Sequence, residues 1–387
     1  MAILVGSVGT SERFHRQLLD SVSSMVVGWP DNASTTMSPI IEPAHDKLLA
    51  ALTMLQEGES WLLEPKSLDS SGRLWSPGIR TGVRPGSAFH TTEYFGPVLG
   101  IMHARSLEEA IEWQNATDFG LTAGIHSLDP GEVNTWIDRV EAGNLYVNRG
   151  ITGAVVQRQP FGGWKRSTVG TTSKAGGPNY LTHLGNWRPR PLQSVPSDIT
   201  LSPRVEAILS AIEGSLGAGE VAGLRAAATS DQVAWSREFG ILKDVTGLGV
   251  ERNVFRYLPV PVTVRGDGSM SDLVRVVLAA TRAGAPVSVS SDAALPDGVA
   301  EHVVETDEAW LARMREKRPE RIRVVGESAA DVARAVEGDP DVAIYGGAVT
   351  QSGRIELLPF LREQAISITN HRFGNPDRAF EAVLPRS

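Results

Sequence analysis

Short apolar runs alternate with amphipathic helical stripes along most of this chain, and that alternation confines it to α/β architectures. Ala2-Ile3-Leu4-Val5 reads as a buried strand at the very start. Thr10 or Ser11 caps a helix running to about Val26, with Phe14, Leu18, Leu19 and Val22 on one face. A second helix over 42–56 turns Leu48, Leu49, Leu52 and Leu55 inward. Strands follow at 61–63 and 98–102, then a helix over 107–115 with Ser106 and Glu109 spaced as a capping box. A small-residue strand at 120–126 precedes a helix opened by Pro130, whose apolar face carries Val133, Trp136, Ile137 and Val140.

The second half repeats the theme. Helices are expected over 226–239, 272–282, 308–315 and 329–336. Extended runs are expected at 260–264, 286–290, 302–304, 322–326 and 342–346. Short apolar strands separated by helices imply a parallel sheet covered on both faces. The pattern is Rossmann-like, yet no GxGxxG follows a predicted strand, so dinucleotide binding by this half is weakly supported. Between the halves, Pro189, Pro191, Pro196 and Pro203 mark a linker over 188–203.

The chain has 387 residues, enough for two or three domains. Its net charge of −8 lacks the clustered cations of a nucleic-acid surface, so no nucleic-acid partner is expected. No apolar run approaches the roughly 20 residues of a membrane span, and no basic leader precedes the apolar start, so the expected place is the cytoplasm. There is no cysteine, which removes disulfides and thiolate nucleophiles from this chain. The eight histidines show no HxH or HExxH spacing, so no metal site is expected.

One stretch concentrates ligand-facing features. In EAGNLYVNRGITGAVVQRQPFGG, residues 141–163, Leu145-Tyr146-Val147 reads as a strand bracketed by Asn144 and Asn148. Gly150, Gly153 and Ala154 then form a small-residue loop that a ligand can approach closely. Successive amides in such a loop make an anion-binding concavity, and Thr152 adds a hydroxyl donor. An ordinary strand–turn–strand connection is the plain alternative. Upstream, Glu93-Tyr94-Phe95-Gly96-Pro97 presents a carboxylate on a fixed turn; a solvent-exposed turn glutamate is the plain alternative there.

Together these two motifs resemble the aldehyde dehydrogenase superfamily, and within it the L-glutamate γ-semialdehyde (pyrroline-5-carboxylate) dehydrogenase half of bifunctional proline-utilisation proteins of the PutA type. The resemblance implies that residues 1–187 are the later part of the dehydrogenase catalytic domain, including an oligomerisation strand at 179–184. It implies that 204–387 are the extra Rossmann-like C-terminal domain of the longer forms. It further implies that Glu93 holds the nicotinamide ribose of NAD and that Phe95 packs near the nicotinamide. Gly153 and Ala154, with Thr152, would receive the substrate's α-carboxylate, and Phe161 would form an aromatic wall, a core phenylalanine being the rival reading. The family's nucleophilic cysteine and general base are expected upstream of Met1. FAD enters only if a proline dehydrogenase domain is fused upstream. The implied protein is a homo-oligomer acting on a small molecule. This chain alone is expected to be inactive; the alternative is a non-catalytic assembly module or a gene remnant.

Overall fold

The computed structural model describes residues 1–190 and 198–384. The fold is α/β with several sheets, as the alternation of runs requires. Contacts divide the chain into two compact units, Met1–Asp118 with Asp138–Val140, and Phe119–Ile137 with Glu141–Ser387. Residues 191–197, the middle of the expected linker, lie outside the described residues.

The first unit is built on a four-stranded sheet in the order Ala2–Val5, Val98–Ala104, Gly78–Thr81, Ser60–Leu63. The first three strands are parallel and the last is antiparallel. Ser11 caps Glu12–Ser23 by accepting the Phe14 N–H at 3.2 Å. Ser106 caps Leu107–Asn115 in the same way, but Glu109 reaches back to the Arg105 N–H at 2.6 Å instead of the cap residue's own amide. Behind the sheet, the buried Arg80 guanidinium pairs with Glu59 at 2.8 Å and lies 4.1 Å from the Phe89 ring.

The second unit holds two sheets. One is the parallel five-stranded sheet expected from the second half, ordered His302–Val304, Val287–Ser291, Val262–Gly266, Arg321–Val325, Ala343–Tyr345. Its order reverses between 262–266 and 321–325, as in a mononucleotide-binding half. Met270–Ala283 covers one face with Leu273, Val276 and Val277 buried. Asp307–Glu316 and Ala329–Ala335 cover the other through Trp310, Met314 and Val332.

The other sheet runs Thr122–Ile125, Asn144–Val147, Leu361–Thr369, Glu251–Pro259. Its long C-terminal strand pairs in parallel with 144–147, placing Ser367 beside Tyr146, and antiparallel with all nine residues of 251–259. Ser367 and Ile368 are fully buried there.

Several expectations need correction. The segment at 179–184 is no strand: Tyr180–His183 is a 3-10 turn. The buried Asn179 amide donates to Glu363 at 2.6 Å and to the Tyr257 hydroxyl at 3.0 Å, while Thr182 donates both its N–H and its hydroxyl back to the Asn179 carbonyl. The helix expected at 226–239 begins at Ala218, with Glu220 accepting the Gly217 N–H at 3.0 Å, and ends in a π turn over Trp235–Phe239. Pro203 opens a further helix, Pro203–Ile212, as proline suits a first turn.

Buried ion pairs tie the five-stranded sheet to its surroundings. Arg323 meets Glu356 at 2.8 Å, and both side chains are at most 3% exposed. Replacing Arg323 by alanine strands the Glu356 carboxylate in the interior, and urea melts should show a loss of about 3–5 kcal/mol. The double change Arg323→Met with Glu356→Leu should recover most of that loss in the same assay.

Candidate functional site

The loop after the Asn144–Val147 strand is anchored at both ends and open in the middle. The strand itself is fully buried. Asn144, 1% exposed, donates from its amide to the Pro160 carbonyl at 3.0 Å and accepts the Gly162 N–H at 3.1 Å. Asn148 adopts a left-handed φ of 56° and exchanges hydrogen bonds with the Ser127 backbone at 2.9 and 3.0 Å. Both asparagines are therefore scaffold, as their turn chemistry suggested.

Between Asn148 and Pro160, Thr152, Gly153 and Ala154 are exposed. Gly153 has φ +75° with nothing within 4 Å of where a Cβ would stand, so its backbone is accessible and glycine relieves the strain. Phe161 is 38% exposed, which removes the core reading; its backbone bridges to Ala175 at 2.8 and 2.9 Å.

Beneath the open loop lies a buried polar cluster that sequence reasoning missed. Gln159, 3% exposed, accepts the Val155 N–H at 2.9 Å and donates to Asn253 at 2.7 Å and to Ser367 at 3.2 Å. Arg149 pairs with Glu251 at 3.0 Å and donates to Ser367 at 2.7 Å. Asn253 and Glu251 come from one C-terminal strand and Ser367 from its neighbour. The sequence showed only Gln159 before Pro160, an extended-backbone cue; no local pattern could link it to residues some 94 and 208 positions away.

Lys174 is the second residue missed. It is 3% exposed, donates its ammonium to Asn144 at 2.9 Å and to the Gly162 carbonyl, and donates its backbone N–H to the Glu363 carboxylate at 2.6 Å. Burial pushes its pKa down to about 7, only partly opposed by the Glu363 charge.

Glu93 and Phe95 belong to the other compact unit. Glu93 is exposed, and its carboxylate makes no hydrogen bond or ion pair among the described residues, while its carbonyl accepts Lys47 at 2.7 Å. Phe95 is 80% exposed at φ +50°, next to Tyr94, which stacks on Phe89 at 4.8 Å. Both are thus free to meet a ligand. Among the described residues no group of three or more His, Cys, Asp or Glu could hold a metal ion.

The aldehyde dehydrogenase family model matches residues 3–188. Over those residues the chain is similar to the aldehyde dehydrogenase family. It is related to 1-pyrroline-5-carboxylate dehydrogenase of Bacillus licheniformis, 36% identical over 167 residues, 43% of this chain and 32% of that protein. The Bacillus subtilis protein of the same name is 34% identical over 184 residues, 45% of this chain and 35% of that one. The solved structure of PutA from Corynebacterium freiburgense matches 96% of this chain and 35% of its own, with 46% identity and a TM-score of 0.82. The chain thus spans about a third of the length of these relatives. The family match ends near residue 188, whereas the PutA match extends across the five-stranded sheet as well.

Two measurements probe this dehydrogenase-like loop. The folded Lys174 has a pKa of about 7 against 10.5 for an ordinary lysine, so between those values the unfolded chain holds a proton that the folded one has released. Stability therefore rises with pH across that window; Lys174→Met should flatten the rise in denaturant melts recorded from pH 7 upward. Separately, Ser367→Ala removes an acceptor shared by Gln159 and Arg149. Amide exchange at 152–156 should accelerate while the 144–147 strand stays protected; unchanged loop exchange would mean that the cluster does not order the loop.

Proposed function

We propose that this chain is part of an NAD-dependent oxidoreductase that converts L-glutamate γ-semialdehyde to L-glutamate in proline catabolism, in the cytoplasm. The observation that carries this reading is the 46% identity to PutA across 96% of the chain, which takes in both the dehydrogenase-like residues and the C-terminal sheet. The corresponding division is a catalytic-domain portion at 1–187, a linker at 188–203 and a PutA-type C-terminal domain at 204–387.

In this reading the amides of Gly153 and Ala154, with the Thr152 hydroxyl, receive the substrate's α-carboxylate. Phe161 lies along its aliphatic part, consistent with a ring that is partly exposed. The unpaired Glu93 carboxylate suits a ribose diol, and the exposed Phe95 suits the flat nicotinamide beside it; NAD, when bound, supplies the hydride acceptor. Aldehyde oxidation of this type needs a thiolate to add to the carbonyl; the tetrahedral adduct then loses hydride from its carbon and becomes a thioester, which water hydrolyses to the acid. The chain has no cysteine, so that thiolate must come from another polypeptide segment.

The test separates anchoring from turnover. L-Glutamate should bind this chain in calorimetry, and Gly153→Val, which forces a side chain onto a left-handed backbone, should weaken it about tenfold or more. The chain alone should produce no NADH from the semialdehyde. Turnover by the chain itself would overturn the missing-nucleophile reading. Complete absence of glutamate binding would favour a non-catalytic assembly module, which the lack of cysteine also fits.

A further inference from the structure

The five-stranded sheet carries a second candidate site, away from the loop at 152–154 (the anchor loop) in sequence and in its elements. The usual ligand position of such a sheet is the crevice at the carboxyl ends of its strands, where the strand order reverses. Here that crevice is filled from within. The Asp267 carboxylate accepts the Ser328 N–H at 3.0 Å, bridging the ends of the 262–266 and 321–325 strands. A Cβ on Gly326, whose φ is +128°, would fall 1.4 Å from the other Asp267 oxygen. A negative group thus occupies the place where a dinucleotide would set its pyrophosphate, and like charge opposes the ligand there.

Beside this closed crevice is an open cavity of about 350 Å³, between the helices Ala218–Ala234 and Met270–Ala283 and the loop at 349–351. Its existence follows from the sequence of the first helix. Gly219, Gly223 and Ala227 recur every fourth residue and line the cavity, so one helical face carries almost no side-chain volume. A Cβ on Gly219 would meet nothing within 4 Å, and one on Gly223 would meet only the Gln351 amide at 3.6 Å.

The charges around this space fall into two classes. Arg275 lines it but is fully engaged, with Asp231 at 2.7 Å on both guanidinium nitrogens and the Thr350 carbonyl at 3.0 Å. The inner wall is therefore neutral. Arg190 and Asp272 also line it, and neither side chain makes a hydrogen bond or ion pair among the described residues. Glu220 adds a second carboxylate at the rim. Leu224 and Ala227 supply an apolar patch between.

From the cavity, its small-residue wall and these unpaired charges of opposite sign, we propose that this site binds a small zwitterionic α-amino acid. Arg190 takes the carboxylate, Asp272 and Glu220 take the ammonium, and the side chain rests on Leu224 and Ala227. The volume lies at the low end of the range for small-molecule sites, roughly 300–1,000 Å³, which suits an amino acid better than a dinucleotide.

The test uses the full chain at low ionic strength, with L-alanine and L-proline as probes and glutarate and putrescine as single-sign controls. Both amino acids should bind in calorimetry with millimolar affinity or better, and neither control should match them. Gly223→Leu fills the cavity from a helix that favours leucine over glycine, and should weaken binding about tenfold or more. Asp272→Asn, an isosteric change at an exposed position in a first helical turn, should weaken it similarly and serves if the leucine variant does not fold. The proposal is overturned if neither amino acid binds, if glutarate or putrescine binds as well, or if both variants bind as the parent does. Alanine or proline binding that Gly153→Val weakens while Gly223→Leu does not would belong to the loop at 152–154 and would overturn this site, so failure here is distinguishable from failure of the dehydrogenase reading.

Discussion

A buried strand must have its backbone hydrogen bonds met on both edges, and the rest of this structure depends on how that is done for Asn144–Val147. Thr122–Ile125 meets one edge and Leu361–Thr369 the other. The second partner is distant in sequence but built for the task. Gln364, fully buried, donates to the Ala142 carbonyl at 2.9 Å and accepts from Arg256 at 2.8 Å. The Trp164 indole donates to the Glu363 carbonyl at 2.8 Å while the Arg362 guanidinium lies 3.9 Å from its ring. Removing that strand would expose an unpaired edge and bury several polar groups without partners.

The same insertion gives the anchor loop its floor. Gln159 and Arg149 find their buried partners on the two C-terminal strands, so a loop of small exposed residues rests on fixed polar contacts. A loop rich in glycine gains precision only from what lies underneath it. Lys174 fixes the far end through Asn144 and Gly162. The price of that arrangement is an ammonium held in a dry site, visible in its depressed pKa.

Local patterning carried much of the fold. The strands at 2–5, 98–104 and 321–325, and the helix caps at Ser11 and Ser106, follow from periodicity and capping chemistry within a few residues. What escaped was non-local. Arg252, Arg256 and Asn253 interrupt the apolar pattern of Glu251–Pro259, because their polar groups are satisfied by residues more than a hundred positions away or by the loop before them. At 179–184 the apolar residues suggested a strand, yet the backbone curls onto the Asn179 carbonyl while the Asn179 side chain is held by Glu363 and Tyr257. The loop shows the same division: Gly153 stands in a recognisable local motif, whereas Gln159, Lys174 and Ser367 matter through partners that no short window contains.

The pairing of Tyr146 with Ser367 joins residues 221 positions apart by their own numbering, and the Arg149–Ser367 bond spans 218. Contacts of that separation form late, because a long stretch of chain must first be closed into a loop. On the ribosome, the floor of the loop at 152–154 is assembled only after residues 361–369 have emerged. The shape of the loop at 152–154 is thereby timed by the 361–369 strand: a nascent or clipped chain lacking that strand would carry the loop's sequence without the means to hold its shape.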